Sequence, residues 1–167
     1  MQVWPAATPP SCKCGAMDLS TALDFLRPRR NGVLATLKRD GMAQQSIISY
    51  YVADDGTLRI SLTDDRAKTR NMRRDPRVSL LVQAQDAYSY VVVEGTAELM
   101  APAADPHDAT VDALVVYYRA LRGDHPDWDE YRAAMVADKR LILTIRPDRA
   151  YGMDLRTGTS PTGQERG

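Results

Sequence analysis

Leu58, Ile60 and Leu62 alternate with Arg59, Ser61 and Thr63, and this period of two predicts a strand with one buried and one polar face. Val33–Leu37, Gln45–Val52, Val78–Gln83 and Tyr88–Leu99 are further strand-like segments, followed by late strands over Leu141–Ile145 and Ala150–Leu155. Arg39-Asp40-Gly41 and Asp54-Asp55-Gly56 supply turn chemistry between them, and Ala84–Ala87 is a polar loop. Helical spacing occurs elsewhere. Asp18–Leu26 places Leu19, Leu23 and Leu26 on one face, with Pro28 just beyond. Asp64–Asp75 has good helix formers, a candidate N-cap at Asp64 or Asp65, and a stop at Pro76. After Pro102 and Pro106, Val111, Leu114, Tyr118 and Leu121 share one helical face, and Trp128, Tyr131 and Met135 share another. The order is a helix, three meandering strands, a short helix, two strands, a helical insertion and closing strands. It predicts a mainly β, α+β domain in which antiparallel strands curl into a small barrel, because closure removes exposed strand edges.

The chain has 167 residues, the size of one domain with one sizeable core. The folded part is expected over residues 18–155, with residues 1–17 a disordered extension and residues 156–167 a Gly-, Thr- and Ser-rich disordered tail. Lys plus Arg equals Asp plus Glu at 22 each, so no whole-molecule field draws in nucleic acid or an acidic membrane. No uninterrupted apolar run approaches the roughly 18 residues of a membrane span. The first fifteen residues carry Pro5, Pro9 and Pro10 and no apolar centre, unlike a secretory signal, so a cytoplasmic setting is expected. There Cys12 and Cys14 read as free thiols, since their spacing suits neither a zinc site nor an easy disulfide. His107 and His125 lack neighbours at ligand spacing and read as surface residues; no metal site is expected. Asp124, Asp127, Asp129 and Glu130 around Trp128 read as an acidic helix start. Neither a nucleophile elbow nor an HExxH pair is present to support hydrolysis.

The densest chemical signal is Ser61-Leu62-Thr63-Asp64-Asp65-Arg66-Ala67-Lys68-Thr69-Arg70-Asn71. A strand ends there, a helix begins, and the helix start offers unpaired backbone N–H groups with about half a unit of positive charge. Arg66 and Lys68 beside that end would complete an anion pocket, the one as a fork and the other as a point charge. Asn71, one turn on from Lys68, would extend its amide toward a ring or sugar-like oxygen, and Ser61 would add a hydroxyl from the incoming strand. On spacing alone, Arg66, Lys68, Arg70, Arg73, Arg74 and Arg77 read first as the solvated face of a short surface helix, and no glycine-rich phosphate loop accompanies them.

The run R-A-K-T-R-N-M-R-R-D-P-R-V-S-L at 66–80 resembles the phosphate-binding segment of the pyridoxine 5′-phosphate oxidase-like superfamily, nearest to its deazaflavin-dependent branch. G-V-L-A-T-L-K-R-D-G-M-A-Q-Q-S at 32–46, Tyr88-Ser89-Tyr90 with Glu94-Gly95-Thr96-Ala97, and Tyr151-Gly152 support the resemblance, which spans roughly Asp18 to Met153. It implies a six- to seven-stranded antiparallel split β-barrel, FMN-binding-like, forming a homodimer with cofactor sites along the subunit interface. By position it implies that Arg66, Ala67, Lys68 and Asn71 hold the cofactor's phosphate and side chain, with Ser61 facing the same group. Gln44 and Ser46 would line the ring or its ribityl-like chain, and Tyr88 would approach the cofactor. Lys38 and Arg39 fall where an acidic oligoglutamate tail would pass. The implied activity is hydride transfer between coenzyme F420 and a small conjugated acceptor; the catalytic residue is unassigned. The alternatives are an FMN-binding oxidoreductase and a carrier that holds the deazaflavin without turnover. Against true pyridoxine phosphate oxidation, Arg149-Ala150-Tyr151-Gly152-Met153 lacks the Arg-Leu-His pattern of those enzymes.

Overall fold

Alternation along the strands sorts side chains between an apolar interior and a largely polar exterior. Leu58, Ile60 and Leu62 are buried while Arg59, Ser61 and Thr63 are half-exposed. The structure, a computed structural model, describes residues 16–86 and 88–154. Cys12, Cys14 and the tail beyond residue 154 lie outside those residues. In chain order the elements are β1 (Ala16–Met17), α1 (Leu19–Leu26), β2 (Asn31–Leu37), β3 (Ala43–Ser49), β4 (Tyr51–Val52) and β5 (Leu58–Thr63). They continue with α2 (Ala67–Arg74), β6 (Arg77–Gln83), β7 (Tyr90–Leu99), α3 (Ala109–Arg122), α4 (Trp128–Ala137) and β8 (Arg140–Met153).

All pairings are antiparallel, in the order β3-β2-β6-β7-β8-β5-β4, with β1 on β8. Although β3 and β5 stand far apart in that order, they approach each other and share a core, so the sheet curls into a split barrel. The barrel interior holds Leu34, Ile48, Ile60, Leu80, Val93 and Leu143, and α1 closes one end with Phe25 and Leu26. A second core lies outside the barrel, where Val111, Leu114, Tyr131 and Met135 of α3 and α4 pack on Ile142. Residues 141–145 are therefore buried on both faces, which is why that segment is apolar at every position but Thr144. Asp108 caps α3 by accepting the Val111 N–H at 2.7 Å, and Asp127 caps α4 by accepting those of Asp129 and Glu130.

Four local expectations change. Residues 16 and 17 pair with Tyr151 and Ala150, so they belong to the barrel rather than to the extension. The strand expected over residues 45–52 breaks at Tyr50, whose fully buried hydroxyl donates to Leu26 O at 3.0 Å; seating that ring in the core turns the chain. The two late strands are one strand, β8, with a register shift opposite Glu94/Gly95. The N-cap of α2 is Arg66, with no side-chain cap bond. Asp64 and Asp65 stay in the preceding turn, where the Asp64 N–H donates to Lys139 O and its carboxylate pairs with Arg73.

Candidate functional site

β5 runs out at Thr63 and α2 begins four residues later, and the Thr69 hydroxyl donates to Thr63 O at 2.9 Å, tying the first helical turn to the strand end. The Arg66 cap side chain satisfies none of the first N–H groups of α2, so they are left to other acceptors. Its cations differ in their partners. Arg73 pairs with Asp64, Arg77 with Asp75 at 2.7 Å, and Lys38 with Asp40 at 3.3 Å. Lys68 has no ion pair among the described residues, is half-buried, and lies close enough to Arg66 to feel its charge. Burial and then the Arg66 charge both hold its ammonium below the ordinary lysine value. An anion placed here would relieve both effects.

Asn71 is buried, with its amide turned inward. Its Nδ2 donates to Thr36 Oγ1 at 3.1 Å and to Gln44 Oε1 at 2.8 Å, and its Oδ1 accepts from Arg74 at 3.3 Å. The expected reach toward a ligand oxygen is thus replaced by a rivet between α2, β2 and β3. The rivet leaves the Gln44 NH₂ for the groove. That groove, about 690 Å³, is lined by Gln44, Ala67 and Asn71 together with Lys38, Arg39 and Arg70. It adjoins a second basic hollow, and Lys38, Arg39 and Arg74 border both.

The other expected residues are spread along the edges of the barrel. Ser46 lies two residues from Gln44 on the same face of β3, half-buried and opposite Leu34. Arg66 borders the hollow on the far side of the turn, and its Nε donates to Thr63 Oγ1 at 3.0 Å. Ser61 opens into a different cavity, where its hydroxyl accepts from Arg140 at 3.0 Å. Tyr88 stands in solvent on the loop between β6 and β7, apart from the groove of Gln44 and Asn71. His125 is half-buried rather than a surface residue, packed against Tyr118, Trp128 and Tyr131. Thr36 was not anticipated as a site residue. It lies 35 positions from Asn71, and only the pairing of β2 with β3 brings it there.

A basic strand-to-helix corner at the open edge of an antiparallel split barrel is the architecture of pyridoxamine-phosphate-oxidase-like proteins. The chain belongs to the pyridoxamine 5′-phosphate oxidase family, whose family model matches residues 20–154. It is similar to a conserved hypothetical protein from Mycobacterium tuberculosis, at 27% identity and TM-score 0.67, covering 90% of this chain and 93% of that one. It is also similar to an F420 reductase, at 29% identity and TM-score 0.56, covering 74% of this chain and 90% of that one. An FAD-binding protein from Mesorhizobium loti shares the fold, at 21% identity and TM-score 0.58 over 82% of this chain and 93% of that one. Neighbours of this fold thus range from deazaflavin to flavin proteins.

Proposed function

We propose that the chain is a deazaflavin-dependent oxidoreductase that acts as a homodimer in the cytoplasm. The observation that carries this reading is Lys68, a half-buried cation held beside Arg66 without a carboxylate partner. The donor set fits the proposed cofactor. Lys68, Arg66 and the N–H groups at the start of α2 would hold the phosphate, and the Gln44 NH₂ would meet the chain or ring. Lys38, Arg39 and Arg74 continue the basic lining beyond that point, which suits an acidic oligoglutamate tail and has no counterpart in FMN, a ligand that ends at its phosphate. The 29% identity with an F420 reductase supports the same choice.

When bound, the deazaflavin supplies the hydride chemistry. The chain's own part is to grip, orient and dry the site. Lys68 and Arg66 fix one end by charge, Asn71 fixes Gln44, and the barrel edges β3 and β5 supply the walls.

The homodimer is supported by the outer sheet face. In register, Ile47, Val33 and Leu81 lie side by side on β3, β2 and β6, with Ile47 82% exposed. An apolar row of this kind suits burial against a second copy.

The test is a fluorescence titration of the purified protein with coenzyme F420 and with FMN. Tighter binding of the deazaflavin is expected; the reverse order overturns the choice and returns the FMN-binding alternative. Oxidation of the reduced deazaflavin by quinones or enones separates an enzyme from a carrier, since a carrier gives none.

A further inference from the structure

A second cavity, about 540 Å³, lies beneath the helical insertion, between α3, α4 and the edges of β3 and β5. Three arginines line it, Arg30, Arg122 and Arg140, and no carboxylate does. Among the described residues Arg122 has no ion-pair or hydrogen-bond partner, and the Arg30 side chain donates to Arg27 O at 3.1 Å. Arg140 donates to the Ser61 hydroxyl, and its Nε is buried without a hydrogen-bond partner, 3.7 Å from the Asp138 carboxylate. Arg140 and Arg122 both lie near enough to the Tyr117 phenol for their charges to act on it. Tyr117 itself donates to Ser49 O at 2.9 Å, pinning α3 to the end of β3. The remaining wall is aromatic and apolar, with Tyr118, Tyr131, Leu121 and Met135.

Three arginines lining one cavity without a carboxylate call for an oxyanion, and Arg forks match a carboxylate's planar pair of oxygens. Tyrosine, leucine and methionine walls call for a flat apolar body, and the volume is in the range of small-molecule sites. We propose that this cavity binds a planar, carboxylate-bearing aromatic or conjugated small molecule. Its carboxylate sits at Arg30, Arg122 and Arg140, and its ring lies along the tyrosines. Ser49, which borders this cavity, and Gln44, in the basic groove, are five positions apart on β3, roughly 17 Å along the strand. They stand near opposite ends of β3 with side chains on opposite faces, so the two hollows are separate sites. Binding in this cavity does not rest on the cofactor reading.

The probe is 2-naphthoate, titrated calorimetrically into the cofactor-free protein, with 2-naphthamide and 2-naphthyl phosphate alongside. The expected result is saturable binding of the naphthoate, with the neutral amide weaker by about tenfold or more, as for loss of a charged hydrogen bond. Arg122→Gln, whose side chain holds nothing else in place, is expected to weaken naphthoate by a similar factor with an unchanged melting temperature. Arg30→Gln is expected to add to the loss. Equal affinity for acid and amide, or naphthoate binding untouched in the double variant, overturns the proposal. Naphthyl phosphate binding tenfold tighter than the carboxylate overturns the choice of carboxylate. Lys68→Ala is expected to leave naphthoate binding intact while losing the deazaflavin, so failure of the cavity and failure of the cofactor reading give different results.

Discussion

Asn71 on α2 donates to Gln44 Oε1 on β3 at 2.8 Å, and the same nitrogen donates to Thr36 Oγ1 on β2 at 3.1 Å. The residue that the motif suggests as a ligand contact thus sets the orientation of one. Gln44 has its acceptor engaged and its donor free, a polarity suited to a ligand oxygen rather than to a ligand N–H. Asn71→Ala leaves the Thr36 hydroxyl and Gln44 amide without that partner in a buried setting. A loss of about 1–3 kcal/mol in denaturant-measured stability is expected, with weaker cofactor binding as a second effect. A variant that unfolds like the parent would contradict the rivet.

Lys68→Ala is expected to cost about 1.5–3 kcal/mol of deazaflavin binding, the range for a hydrogen bond to a charged group. Its effect on the cofactor-free protein has a definite sign. The folded-state ammonium is depressed below 10.5, so the unfolded chain binds more protons in the window between the lowered value and 10.5. Apparent stability contributed by this group therefore rises with pH through that window. Cofactor binding there is accompanied by proton uptake, measurable as a buffer-dependent calorimetric enthalpy and absent in Lys68→Ala.

Asp75 is held at about 2, first by the hydrogen bonds from the Arg77 side chain and then by the Arg77 N–H. A depressed carboxylate contributes stability above its ordinary value of 3.8 and loses it as pH falls toward 2. In an NMR titration the Asp75 carboxyl is expected to move at about 2 in the parent and nearer 3.8 in Arg77→Gln. An unmoved midpoint would refute the assignment.

Ile47→Lys places a charge in the exposed apolar row of Ile47, Val33 and Leu81. If two copies meet there, sedimentation equilibrium is expected to show a monomer for the variant and a dimer for the parent. A dimeric variant would move the interface elsewhere.

Gly95 lies at the register shift between β7 and β8, and a Cβ added there would come within 2.1 Å of Arg146 O. Backbone cannot step aside as a side chain can. Gly95→Ala is expected to destabilise by about 3 kcal/mol, the upper end for overpacking, read as a lowered denaturant midpoint. A change under about 0.5 kcal/mol, the usual effect of a surface substitution, would argue that the strand relaxes without cost.

Much of the architecture was legible along the chain because it rests on short-range pattern. The alternation at Leu58–Thr63, the turns at Gly41 and Gly56, and the helical faces of Val111 and Leu114 each depend on neighbours within a few residues. The break at Tyr50 was not legible, since Gln45–Val52 carries a strand composition and the buried ring's partner, Leu26 O, lies 24 positions away. The α2 cap was misplaced for a related reason. Asp64 is a good cap by type, yet its N–H is bound by Lys139 and its carboxylate by Arg73.

The candidate site divides in the same way. By itself the sequence determined that a basic run would straddle a strand end and a helix start, because Arg66, Lys68 and their neighbours are contiguous. It could not say which of those cations lacks a counter-charge, which way Asn71 faces, or that Ser61 belongs to another cavity. Those answers depend on strand register. Pairing β2 with β3 sets Thr36 opposite Gln44 beneath α2, and pairing β5 with β8 carries Ser61 to Arg140. Side-chain partners far apart in the chain are chosen by how the sheet closes, and that choice was made only in the tertiary structure.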